Sequence, residues 1–155
     1  MKKTSFEDCE LALFEVAKKV LLDRRHALDV LQKPAYYNIG MEGWLQTELI
    51  VALNDEKYNV VMKGKVARGY DLMAERSDEG INIGVELRTA ATANYKYLET
   101  AFQQHPRADL YLFLAKHDEV KFDKFIKTWA AEGYINAHRV VDGWVVMIVK
   151  RQETS

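Results

Sequence analysis

The stretch Tyr70-Asp71-Leu72-Met73-Ala74-Glu75-Arg76-Ser77-Asp78-Glu79-Gly80-Ile81-Asn82-Ile83-Gly84-Val85-Glu86-Leu87-Arg88-Thr89 decides how the chain is read. Ser77 to Gly80 is a polar turn, and the segments on either side have the composition of strands. Side chains alternate faces along a strand. On the first arm Leu72 and Ala74 share one face, while Asp71, Met73 and Glu75 share the other. On the second arm Ile81, Ile83, Val85 and Leu87 make an apolar face, with Asn82, Gly84, Glu86 and Arg88 on the reverse. Matching apolar face to apolar face places Asp71, Glu86 and Arg88 on one side of the hairpin. A four-residue loop, Ser77 to Gly80, pairs Arg76 with Ile81 and Asp71 with Glu86. A two-residue loop, Glu79-Gly80, sets Asp71 opposite Arg88 and one diagonal step from Glu86. A slip by one residue turns every side chain to the other face, which the apolar pattern forbids. Both registers leave the two carboxylates as neighbours. Like charges opposed across a hairpin cost roughly 0.2–1 kcal/mol, and a cation between them reverses that cost. Taken alone, the pattern also fits a solvated sheet face on which Arg88 is simply the counter-ion.

Periodicity and punctuation supply the elements around this hairpin. Thr4-Ser5-Phe6-Glu7 has the spacing of a capping box, and Leu13, Val16, Ala17 and Val20 repeat at helical period. One long helix is expected from about Ser5 to Leu31, ended by Lys33-Pro34. After a loop from Ala35 to Gly40, a second helix runs from about Met41 to Leu53. The polar turn Asn54-Asp55-Glu56-Lys57 leads into a strand from Tyr58 to Val66, and Gly69 breaks the chain before the Asp71 strand. A third helix spans about Ala91 to Gln104 and stops before Pro106. Asp109 to Leu114 is almost continuously apolar, as a central strand covered on both faces should be. Asp118 caps a fourth helix with an inner face of Phe122, Phe125, Ile126 and Trp129, and Gly133 ends it. Asp142-Gly143, between Ile135 to Val141 and Trp144 to Val149, signals a second hairpin. The order α-α-β-β-β-α-β-α-β-β describes an α/β sheet of mixed direction, with a parallel right-handed crossover from Ile81 to Leu114.

Glu48 stands out on the second helix. Met41, Leu45 and Ala52 are spaced i, i+4 and i+11, and Glu48 occupies i+7 of that stripe with Trp44 and Leu49 beside it. A carboxylate on the packed side of a helix is costly unless paired or metal-bound. The simpler alternative is a place at the rim, bonded to a nearby arginine or backbone group. Oxygen ligands such as Glu48, Asp71 and Glu86 suit a hard divalent cation, Mg²⁺ or Mn²⁺.

Bulk properties narrow the classes. The chain has 155 residues, 48% hydrophobic and 29% charged, the proportions of one globular domain. With 22 basic against 23 acidic residues it is not a non-specific DNA coater, although a local basic groove is enough to hold phosphates. Cys9 is the single cysteine, which excludes an intrachain disulfide framework and a cysteine-based zinc site. A cytoplasmic setting is expected, because no apolar stretch has the length of a membrane span and the N-terminal segment lacks a signal-peptide core. His26, His105, His117 and His138 show no metal-ligand spacing and are expected at the surface. Trp129 and Trp144 are expected in core or rim packing.

A helix Glu, then a β-hairpin carrying Asp and Glu-x-Arg, then a helix and a strand: this order resembles the PD-(D/E)XK nuclease superfamily over about Met41 to Ala115. The resemblance implies a restriction-endonuclease-like mixed central sheet flanked by helices, with an added N-terminal helix and a C-terminal β-hairpin. The expected division of this single domain, 1–155, is an N-terminal helix over 1–33, a nuclease-like core over 41–115 and a C-terminal helix and hairpin over 118–150. It further implies that Asp71 and Glu86 ligate Mg²⁺ and that Glu48 assists them. Tyr70 stands where the family often has proline, and Arg88 stands at the family's lysine position. An arginine stays protonated and offers a fixed fork of donors, so it grips a phosphate but accepts no proton. Lys96 is the best-placed lysine to substitute, with Lys63 and Lys65 as others.

The leading expectation is therefore a metal-dependent nuclease hydrolysing phosphodiester bonds in DNA, with Lys63, Lys65 and Arg68 holding backbone phosphates. A solvated strand edge guarded by lysines explains those residues equally well. A homodimer fits the reading, since cutting two strands needs two sites and the long first helix offers a docking surface. Two alternatives stand beside it: a catalytically inactive nuclease-fold module binding nucleic acid or protein, and an interaction protein of unrelated α/β fold.

Overall fold

The computed structural model describes residues 6–31, 33, 41–63, 72–76, 80–88 and 108–150. They form α1 (Phe6–Asp23), α2 (Arg25–Leu31), α3 (Met41–Asp55), β1 (Asn59–Lys63), β2 (Leu72–Arg76), β3 (Ile81–Arg88), β4 (Leu110–Lys116), α4 (Glu119–Ala131), β5 (Ile135–Val141) and β6 (Trp144–Lys150). The strands make one mixed sheet of six, in the order β1-β2-β3-β4-β6-β5. Only β3 and β4 run parallel, and the other neighbours are antiparallel. The helix expected over Ala91 to Gln104, which would join the parallel pair, lies outside the described residues. Among the described residues no helix is long and apolar enough to cross a membrane.

Alternation along the strands builds a core on each face. Leu72, Ala74, Ile83, Val85, Leu87, Leu110, Leu112, Leu114, Val146 and Ile148 pack with Leu13, Val16, Ala17, Val20 and Leu21 of α1 and Leu45, Leu49 and Leu53 of α3. Met73, Tyr111, Phe113, Ala115, Val145, Met147 and Val149 pack on the reverse with Phe122, Phe125 and Trp129 of α4. Hence β4 and β6 are buried on both sides, as their unbroken apolar runs require.

The turn chemistry is local and specific. Asp118 caps α4 by accepting from Lys121 N at 3.2 Å. At its other end Gly133, with φ 77°, closes a Schellman motif in which Tyr134 N donates to Trp129 O and Gly133 N to Ala130 O. The end of α3 repeats that pattern with a lysine in the glycine position. Tyr58 N donates to Leu53 O, Lys57 N donates to Asn54 O, and Lys57 has φ 68°. Asp142 and Gly143 both have positive φ, at 49° and 81°, as a two-residue type I′ hairpin turn demands.

One expectation is corrected. The first helix is two, α1 and α2, meeting at Arg24. Neither proline nor glycine marks the break, and backbone hydrogen bonds run through it, from Arg24 N to Val20 O at 3.1 Å and from Leu28 N to Arg24 O at 2.9 Å. Helical hydrogen bonding therefore runs through the junction.

Candidate metal centre

The hairpin adopts the four-residue loop. Arg76 pairs with Ile81, Ala74 with Ile83, and Leu72 with Val85, while Gly80 takes φ 65° at the end of the turn. Thus the residue after Asp71 sits opposite the residue before Glu86. Asp71 itself lies outside the described residues. Across the parallel junction Glu86 pairs with Phe113, which in turn pairs with Met147. Paired residues share a face, so the Glu86 side chain leaves β3 on the α4 side of the sheet.

Among the described residues Glu86, 1% exposed, is the charged residue that lies buried. Solvation therefore does not account for Glu86. An ionised carboxylate removed from water is costly unless a cation or several hydrogen-bond donors offset the loss. The sequence carried a signal for this burial: β4 is apolar on both faces, and the reverse face of its parallel neighbour β3 is covered with it.

Glu48 is placed differently. The buried stripe of α3 is Leu45, Leu49 and Leu53, and Glu48 flanks it with its side chain 26% exposed. Its Oε2 accepts from Arg24 Nε at 3.0 Å. Because α3 packs with α1 on the face of Leu72, Val85 and Leu87, the helix carrying Glu48 and the side chain of Glu86 belong to opposite layers. The expected convergence of Glu48 with Glu86 is not what the structure brings together. The alternative position, at the rim and bonded to an arginine, is the one the structure shows, although a partner 24 positions away leaves no periodic trace that would single out Arg24.

Arg88 ends β3, and its backbone pairs with Ala115. Lys63 ends β1, opposite Leu72 on β2. Lys65, Arg68 and Lys96 lie outside the described residues, as does His105. Of the other histidines, His26 and His138 are exposed, whereas His117 is half-buried with its ring edge-on to Phe122 at 5.5 Å. Phe122 also meets His138, at 5.7 Å.

Among the described residues no group of three or more histidine, cysteine, aspartate or glutamate side chains is placed to hold a metal. Asp71 is outside that set, so its relation to Glu86 rests on the hairpin register alone. Two carboxylates still fit Mg²⁺, which commonly keeps several waters and takes one or two protein carboxylates with substrate phosphates. Comparison with known proteins adds no relative: no family model, no curated protein and no solved structure matches the chain.

Proposed function

We propose that this chain is a restriction-endonuclease-like module that hydrolyses phosphodiester bonds in DNA with the help of Mg²⁺ or Mn²⁺. The observation that carries the reading is the burial of Glu86 beside Val85, whose hairpin partner Leu72 follows Asp71 in the chain. Two acids at those positions supply hard oxygen donors of the kind that a dication takes. The strand order β1-β2-β3-β4, with α3 ahead of it and a parallel step from β3 to β4, supports the fold.

Asp71 and Glu86 would hold the cation. When bound, the metal lowers the pKa of a water and offsets charge on the scissile phosphate. Arg88 grips that phosphate through its fork of donors and accepts no proton at any ordinary pH. Lys63, Lys65 and Arg68 bind backbone phosphates, and Lys96 supplies the mobile ammonium that the arginine cannot imitate. Glu48 serves the scaffold through Arg24 and is left out of the ligand set.

Plasmid cleavage with Mg²⁺ or Mn²⁺, comparing the native chain with Glu86→Ala, tests the reading. Metal-dependent nicking lost in the variant supports it, and equal background nicking by both removes it. A second reading, a non-catalytic module of the same fold, is favoured by Arg88 and by the Arg24–Glu48 pair, which keeps one acid in a metal-free ion pair. Metal titration separates the two: only the catalytic reading requires binding that Asp71→Ala and Glu86→Ala both abolish.

A further inference from the structure

The outward face of α1 carries a pattern that the proposed site does not use. Asp8, Leu11, Glu15, Lys18 and Leu22 are all exposed on it, and Arg25, the exposed first residue of α2, continues the line. Their spacings are three, four, three, four and three residues, the 3.5-residue repeat that keeps one seam of a helix turned toward a partner helix. Leu11 is 56% and Leu22 40% exposed, on a helix that buries Leu13, Val16, Ala17, Val20 and Leu21 against the sheet. The backbone hydrogen bonds through Arg24 carry the line past the helix junction.

Along this stripe the chemistry runs acid, leucine, acid, base, leucine, base. Read backwards with acid and base exchanged, it is unchanged. A second copy turned end for end, about a two-fold axis between Val16 and Ala17, therefore meets the first with full complementarity. Glu15 faces Lys18 twice at the centre, Leu11 faces Leu22 twice outside them, and Asp8 faces Arg25 at both ends. A parallel arrangement sets Glu15 on Glu15 and Lys18 on Lys18, which like charges disfavour. A uniformly basic or acidic foreign partner would be repelled by half of the stripe.

We propose that this chain pairs with a second copy of itself through an antiparallel, two-fold α1–α1 interface along Asp8, Leu11, Glu15, Lys18, Leu22 and Arg25. Such an interface is isologous, each residue meeting its complement in both directions. It does not rest on the nuclease reading.

Sedimentation equilibrium of the full chain from micromolar to submillimolar concentration tests the pairing. The native chain is expected to dimerise. Glu15→Lys and Lys18→Glu each oppose like charges twice, and each weakens the dimer by about tenfold or more. The double variant Glu15→Lys/Lys18→Glu restores complementarity and returns to within about threefold of native affinity. A monomeric native chain, single variants that pair as tightly as native, or a double variant no tighter than the singles overturns the proposal. Direction is read by oxidative crosslinking. Mixed chains of Leu11→Cys and Leu22→Cys should join to each other in preference to themselves, and preferential self-joining overturns the antiparallel register.

Discussion

Arg24 Nε donates to Glu48 Oε2 at 3.0 Å, tying the junction of α1 and α2 to the middle of α3. With side chains 51% and 26% exposed, the pair sits in high dielectric and contributes modestly. Glu48→Ala and Arg24→Ala should each lower stability by roughly 0.2–1 kcal/mol, with a double-mutant coupling inside the same range. Metal affinity in Glu48→Ala should stay within about twofold of native, less than half a kcal/mol. A titration in which Glu48→Ala loses divalent binding would return this residue to the ligand set.

Lys57 and Gly133 occupy the same position of the same helix-ending motif, yet only one of them is a glycine. A left-handed conformation costs an L-residue roughly 1–2 kcal/mol, part of which glycine gives back as unfolded-state entropy. Lys57→Gly should therefore stabilise the chain by about 0.5–1 kcal/mol, seen as a rise of roughly 1–4 °C in thermal midpoint. The converse, Gly133→Ala, should destabilise by about 1–2 kcal/mol. A fall in midpoint for Lys57→Gly would mean that the lysine side chain makes a contribution larger than its backbone strain.

Asp118 accepts from Lys121 N and supplies the start of α4, the helix that brings Phe122, Phe125 and Trp129 onto the sheet. Asp118→Ala should cost about 1 kcal/mol, and Asp118→Asn or Asp118→Ser only a fraction of it, because those side chains also accept from the first turn. Urea denaturation reads the difference as a shifted midpoint at constant slope. Equal losses for alanine and asparagine would show that the aspartate acts through its charge.

The hairpin was legible down to two registers, because the apolar faces of Leu72, Ala74, Ile83 and Val85 forbid a one-residue slip, and the structure takes the one that places Leu72 on Val85. The Asp142-Gly143 turn was legible for a simpler reason, since two consecutive positive φ values select those residue types. For Glu48 the sequence left a packed place and a rim place open, because apolar residues flank it on both sides, and the structure takes the rim. The stripe Met41, Leu45, Ala52 and the stripe Leu45, Leu49, Leu53 share a leucine and differ by a small rotation of the helix. Only the packing of α1 against α3 selects between them. The break at Arg24 had no local signal at all, because nothing in the residues around it opposes a helix. The burial of Glu86 belonged to the sheet as a whole: β3 inherits its cover from lying beside β4.

Arg88→Lys probes whether the residue at the end of β3 limits the chemistry. Lysine replaces a permanently charged fork with a compact ammonium whose proton can be lost in a site near a metal. Under the catalytic reading, cleavage with Mn²⁺ should rise in Arg88→Lys, at least about threefold, which corresponds to well under 1 kcal/mol of barrier. Loss of cleavage in that variant would show instead that the bidentate grip on phosphate is the contribution that matters.

Glu86→Gln removes a charge from a site that is 1% exposed while keeping the shape of the side chain. Under the catalytic reading, Mg²⁺ or Mn²⁺ should stabilise the native chain and leave the variant unchanged. A cation at about a hundred times its dissociation constant stabilises the state that binds it by about 2.7 kcal/mol, or roughly 5–10 °C for a chain of this size. That rise should appear in the native chain, persist in Glu48→Ala, and vanish in Glu86→Gln and Asp71→Asn. Thermal melts at matched ionic strength separate specific binding from screening, since Ca²⁺, Mg²⁺ and Mn²⁺ should differ from one another while sodium at equal strength does nothing. A native chain with no divalent-dependent rise, or a rise that survives in Glu86→Gln, would leave the buried glutamate as a structural residue and take the metal out of the site.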